Sequence, residues 1–302
     1  MKSNIGGISR ILRIAAGLVP IALTATGTGR QYQKELEMIR KNLRVLALTV
    51  VFVLGGPLTA YADDPKAPQD VLYQVSTSNA IVIGAFDGVM SSGEVKRHGD
   101  FGIAAADALG GEMMLIDGVW YQVMPDGKVQ VADDALTIPF GMVTYFQPTI
   151  SFNVGPTTTY QELRAEVDRH LPSRNLFYAV KVEGRFTAVK NRTFAKQSRP
   201  YRNQAVATDE QIIFEAKDTE GTFVGFWFPD YIYGVNLPGL HLHYLSKDKQ
   251  QGGHTLDVAV TSAKVSIQPL YGYEIELAHS PDFLNADLKS DKTSDIKKVQ
   301  GR

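Results

Sequence analysis
Between residues 70 and 283, apolar and polar positions alternate mostly in short runs, the two-residue period of half-buried strands. Phe177 to Val182 alternates strongly. Val119 to Met124 and Lys128 to Val131 flank Pro125-Asp126-Gly127, which carries the chemistry of a hairpin turn. Gln211 to Ala216 and Thr222 to Phe228 flank a second polar segment, Lys217 to Gly221, also read as a turn. One helix is well signed. Thr159 and Glu162 form a capping box, Leu163, Val167 and Leu171 recur every four residues, and Pro172 stops the pattern. An Ala-rich stretch from Ile103 to Leu109 predicts a second, weaker helix, and Leu284 to Arg302 reads as a polar tail. The pattern predicts an α+β (mixed α/β) chain dominated by sheet, with few helices and no internal repeat.

Composition narrows the chemistry. The chain has 302 residues, 44% of them hydrophobic, with a formal charge of −1 and no cysteine. A disulfide framework, a thiolate zinc site and a cysteine nucleophile are therefore excluded. The near-zero charge hides an asymmetry. Residues 1–62 carry eight basic and two acidic side chains, net +6, while residues 63–302 carry 23 basic and 30 acidic ones, net −7. From Met38 the order is that of an export signal: Arg40, Lys41 and Arg44, then the apolar run Val45 to Leu54, then Ala60-Tyr61-Ala62 before Asp63. Ten apolar residues are too few to span a bilayer, which takes about 20 in a helix. The expected organisation is an upstream extension over 1–37 with a weak likeness to a small inner-membrane domain, a signal peptide over 38–62 cleaved after Ala62, and one functional domain over 63–302. The mature domain is then exported, periplasmic or released, with no stable membrane span, and its acidic surface argues against nucleic acid as a partner.

Three of the six histidines fall within fourteen residues, in the run GLHLHYLSKDKQQGGH from Gly239 to His254. In a strand His241 and His243 share a face, while Leu240, Leu242 and Tyr244 serve the other. A polar turn from Lys247 to Gly253 would return His254 beside them on a neighbouring strand. Three imidazoles with one open position is the arrangement of a catalytic zinc, although three histidines also accept other divalent ions. His98, His170 and His279 lack such company and read as ordinary surface or capping residues.

The same run resembles the signature of the acetolactate decarboxylases. The likeness extends through Arg97-His98-Gly99-Asp100-Phe101-Gly102, Gly111-Glu112-Met113, Tyr145-Phe146, Val180 to Phe186 and Asn191-Arg192-Thr193, and covers most of residues 70–300. The resemblance implies two closely packed sheet-rich subdomains, a homodimer, and zinc held by His241, His243 and His254. It implies a glutamate near the metal, matched by Glu112, and an arginine meeting the substrate carboxylate, matched by Arg192. On their own, Glu112 reads as a solvated loop carboxylate and Arg192 as a solvated strand arginine. The implied reaction converts (S)-2-acetolactate, a 2-hydroxy-3-oxo acid, to (R)-acetoin and CO2 in the acetoin/butanediol pathway, without redox cofactor, thiamine or pyridoxal.

Two departures stand out. Ala104-Ala105-Ala106 occupies the place of a Gly-Thr-Phe segment in the family, removing a polar contact, and Gln300 stands near where a second metal-proximal glutamate is expected. Gln300 offers a neutral oxygen but no charge. Three other readings stay open on the residues: a non-enzymatic cupin-like metal-binding module using His241, His243 and Asp248, a zinc hydrolase with Glu112 as base, and a decayed decarboxylase of low activity.

Overall fold
The computed structural model describes residues 69–300. The extension, signal peptide and cleavage position expected over 1–62 lie outside the described residues. Fourteen strands follow in chain order: β1 (Val71–Val75), β2 (Met90–Ser91), β3 (Phe101–Ala105), β4 (Glu112–Ile116), β5 (Val119–Val123), β6 (Val129–Val131), β7 (Thr137–Ile138), β8 (Phe140–Thr144), β9 (Ile150–Val154), β10 (Phe177–Thr193), β11 (Ile212–Phe228), β12 (Gly239–Ser246), β13 (Gly252–Leu270) and β14 (Gly272–Glu276). The helices that matter to the site are short: α1 (Ser78–Ile83), α2 (Ser92–Val95), α3 (Tyr160–Arg169), α4 (Gln204–Ala207), α5 (Pro281–Leu284) and α6 (Thr293–Val299).

Two sheets carry the molecule. The first has seven strands in the order β14-β1-β8-β3-β4-β5-β6. The second is built on three long strands: β10 pairs with β11 along one edge and with β13 along the other. Strand β12 pairs with β11 and with the first residues of β13, closing a ring, and β9 adds to the outside of β13. Inside the ring lies one core, containing Tyr178, Val180, Phe223, Trp227, Leu242 and Val265 with Leu163 and Val167 of α3. Between the ring and the seven-stranded sheet lies another, containing Leu72, Ile103, Phe140, Val224 and Phe226. Because Phe223 to Phe228 of β11 and all of β12 face a core on each side, their side chains are buried on both faces and the two-period alternation fades there.

The predicted helix after Thr159 is present. The Thr159 side chain accepts from the Glu162 N–H, Leu163 and Val167 are fully buried, and His170 ends the helix. The box is offset by one residue, since the Glu162 carboxylate accepts from the backbone and hydroxyl of Thr158. The hairpin of β5 and β6 is also as predicted, closed by Met124 N–H donating to Lys128.

Three expectations are corrected. Ile103 to Leu109 is no helix: β3 occupies Phe101–Ala105 and a single tight turn follows over Asp107–Leu109. Ile103 and Ala105 pack in the core between the sheets, whereas Ala104 and Ala106 pack on the opposite side with Met113 and Leu115. The alanines reflect limited space on both faces of a buried strand, not helix propensity. Lys217 to Gly221 is no turn but the middle of β11, paired with β10 on both sides of a local kink where Asp218 takes a φ of 47°. The polar tail is also structured: α6 places Ile296 and Val299 in the core between the sheets. No helix among the described residues is long and apolar enough to cross a membrane.

Candidate metal centre
The site forms where the ring's outer face meets the seven-stranded sheet. Phe226 pairs with His241 and Val224 with His243, so both imidazoles project with Val224 and Phe226 into the core between the sheets, while Leu240 and Leu242 point into the ring. The turn after β12 brings β13 back antiparallel, and His243 stands directly opposite His254. On the other edge of β13, His254 is the register partner of Arg192. Cross-strand partners share a face, so Arg192, His254 and His243 form a row across three strands. Gly253, just before His254, has a φ of +134°, and a Cβ there would lie 2.5 Å from the Arg192 carbonyl oxygen. Only glycine lets the two strands approach this closely.

The nitrogens fit a metal. His241 Nε2 lies 3.0 Å from His254 Nδ1, which lies 3.4 Å from His243 Nε2. The three ligand atoms all fall within 4.8 Å of one another. Tetrahedral metal–nitrogen bonds of about 2.0–2.1 Å place their nitrogens about 3.3–3.4 Å apart, close to the two spacings about His254. His243 Nδ1 lies 3.0 Å from the Met113 carbonyl oxygen, so Nδ1–H donates there and Nε2 turns its lone pair to the cluster, the usual way of orienting a metal-bound imidazole. Burial pushes the His243 imidazole down to about 3, which keeps it neutral and able to ligate at neutral pH.

Glu112 enters from the other sheet. It opens β4 opposite Ala105, and its Oε2 comes within 3.6 Å of His243 Nε2. It is 6% exposed, and burial pushes its carboxyl up to about 7 against the opposing pull of Arg192. Arg192 is 2% exposed, its guanidinium carbon 4.9 Å from the Phe194 ring centre, and burial lowers it to about 10 while Glu112 acts the other way. Its Nε and Nη1 are buried with no hydrogen-bond partner among the described residues. The solvated readings of Glu112 and Arg192 therefore fail: both are enclosed, and both line the same cleft as the three histidines. Gln300, at the end of α6, lines a separate small cavity against His241 and His254.

The chain is similar to known enzymes. Residues 72–290 match the family described as alpha-acetolactate decarboxylase. The chain belongs to that family. An alpha-acetolactate decarboxylase of Methanosarcina mazei is 42% identical over 76% of this chain and 80% of its own length. One from Brevibacillus brevis is 35% identical over 87% of this chain and 99% of its own. The crystal structure of alpha-acetolactate decarboxylase from Bacillus subtilis strain 168 superposes with a TM-score of 0.75 at 33% identity, covering 77% of this chain and 100% of that one. Membership sets aside the cupin reading, which had no place for Glu112 or Arg192.

Sequence reasoning missed Thr193 and Gln204. The buried Thr193 hydroxyl accepts from the Glu112 N–H at 3.3 Å and donates to the Val123 carbonyl at 3.0 Å. It joins the strand of Arg192 to the start of the strand of Glu112. Its position after Arg192 in the quoted motif was the only signal, because its partners are some 70 and 81 residues distant in sequence. Thr193→Val conserves shape and strands both partners, at about 1–3 kcal/mol. A lowered Tm by thermal melting is expected, and an unchanged Tm would mean that the hydroxyl does not join the sheets.

Proposed function
We propose that this site decarboxylates (S)-2-acetolactate to (R)-acetoin and CO2, with a divalent metal, zinc foremost, held by His241, His243 and His254. The observation that carries the reading is the buried guanidinium of Arg192. A buried cation with two nitrogens unpartnered among the described residues, lining a cleft beside three imidazoles, calls for an anionic ligand with planar oxygens. The substrate carboxylate supplies both.

A metal on these three nitrogens would act as a Lewis acid toward the oxygens beside the breaking bond. Arg192 holds the carboxylate in one orientation, so that the bond to be broken stands across the plane of the neighbouring carbonyl. As CO2 departs, the electron pair stays on the carbon and spreads into that carbonyl. Glu112 supplies the proton that this carbon takes up, and its fixed place on β4 confines delivery to one face, which sets the handedness of the product. Gln300 belongs to the same reading as a neutral oxygen near His241 and His254. The cationic and apolar order from Met38 supports export of the chain.

Purified protein supplied with zinc and racemic 2-acetolactate should release CO2 and accumulate (R)-acetoin, read by chiral gas chromatography. Bound zinc without turnover would overturn the reading in favour of a decayed decarboxylase.

A further inference from the structure
The cleft over the metal centre is made from two sources. The sheets contribute the three imidazoles, Glu112 and Arg192. The helices contribute a roof: Ile81 and Val82 from α1, Gln204 from α4 and Val299 from α6. Helix α4 packs against both α1 and α6. Its place is fixed by Asn203, whose side-chain oxygen accepts from the Ala205 N–H at 2.7 Å and whose amide nitrogen donates to Asp295 at 3.0 Å.

Gln204 is the polar exception in this roof. Its side chain is 7% exposed, and its Oε1 is buried with no hydrogen-bond partner among the described residues. A buried amide oxygen without a partner is costly, and a leucine or methionine would fill similar volume without that cost. Gln204 lines the same cleft as the three imidazoles, Glu112 and Arg192, so a ligand held by those groups lies against it. On the decarboxylase reading, the ketone, hydroxyl and carboxylate of a 2-hydroxy-3-oxo acid are taken by the groups from the sheets. What such a molecule turns to the roof is a side arm.

We propose that Gln204 is a specificity-determining residue whose amide accepts a hydrogen bond from a hydroxyl on the side arm of the bound 2-hydroxy-3-oxo acid. The inference rests on the decarboxylase reading above and extends it from an all-alkyl substrate to a class with a hydroxylated arm. A plain methyl group at that wall leaves the amide oxygen unpaired, whereas a hydroxyl satisfies it, and sites built to bond a hydroxyl discriminate against analogues that lack it.

The test compares 2-acetolactate with two analogues, one hydroxylated on the methyl at C4 and one on the methyl at C2, using zinc-loaded full-length wild type and the Gln204→Leu and Gln204→Glu variants. For at least one analogue, the ratio of its kcat/KM to that of 2-acetolactate should fall about tenfold or more in Gln204→Leu. In Gln204→Glu, which keeps the acceptor oxygen, that ratio should stay above the Gln204→Leu value. Zinc content and the circular dichroism spectrum serve as controls for folding. Ratios that agree within twofold across the three proteins, with 2-acetolactate still turned over, would overturn the role of Gln204 and leave the decarboxylase reading standing. No turnover of any of the three compounds by wild type would overturn both.

Discussion
His243→Ala is expected to lose bound metal and turnover together. Zinc, measured by plasma mass spectrometry after dialysis, should fall from near one equivalent to well below a tenth, and kcat should fall by at least about a thousandfold. The size follows from the geometry. His243 is the imidazole fixed from behind by the Met113 carbonyl, and it faces both His254 and Glu112. Its loss leaves two ligands where a tetrahedral site needs three from the protein. His279→Ala is the matched control, because that histidine is exposed at the far end of the chain. A His243→Ala protein that kept a full equivalent of zinc and its turnover would remove His243 from the ligand set.

Arg192→Ala should separate what His243→Ala joins. The three imidazoles remain, so zinc should stay near one equivalent, while kcat/KM for acetolactate drops roughly a hundred- to a thousandfold, the usual scale for removing one fixed group that stabilises charge in the transition state. Arg192→Lys should recover only a small part, because an ammonium offers a point charge in place of a planar fork. Full activity in Arg192→Ala would show that another group holds the carboxylate. Loss of zinc in the same variant would mean that Arg192 acts by holding β13 and its His254 in place.

The histidine cluster was legible in the sequence for a definite reason. His241, His243 and His254 sit on two strands joined by one short polar turn, so their spacing alone determines a shared face. Glu112 and Arg192 were legible only through motifs that resemble a family, since their burial depends on sheet contacts made far along the chain. The helix after Thr159 was local and was read correctly. Ala104 to Ala106 misled because alanine favours helix in isolation, and only the two flanking cores reveal why small residues stand there. Gln204 had no signal at all. An ordinary glutamine in a polar stretch gains meaning when its oxygen is found buried and unpartnered.

Glu112 reaches the site from the first sheet, whose strand β4 meets the ring through Thr193 and through the Met113 carbonyl beside His243, whereas the three imidazoles and Arg192 all lie between residues 191 and 254 of the ring itself. The two sets of groups thus belong to different sheets. On the proposed reading, a substitution at Glu112 in the first sheet would silence the chemistry and leave the three-histidine cluster of the ring intact.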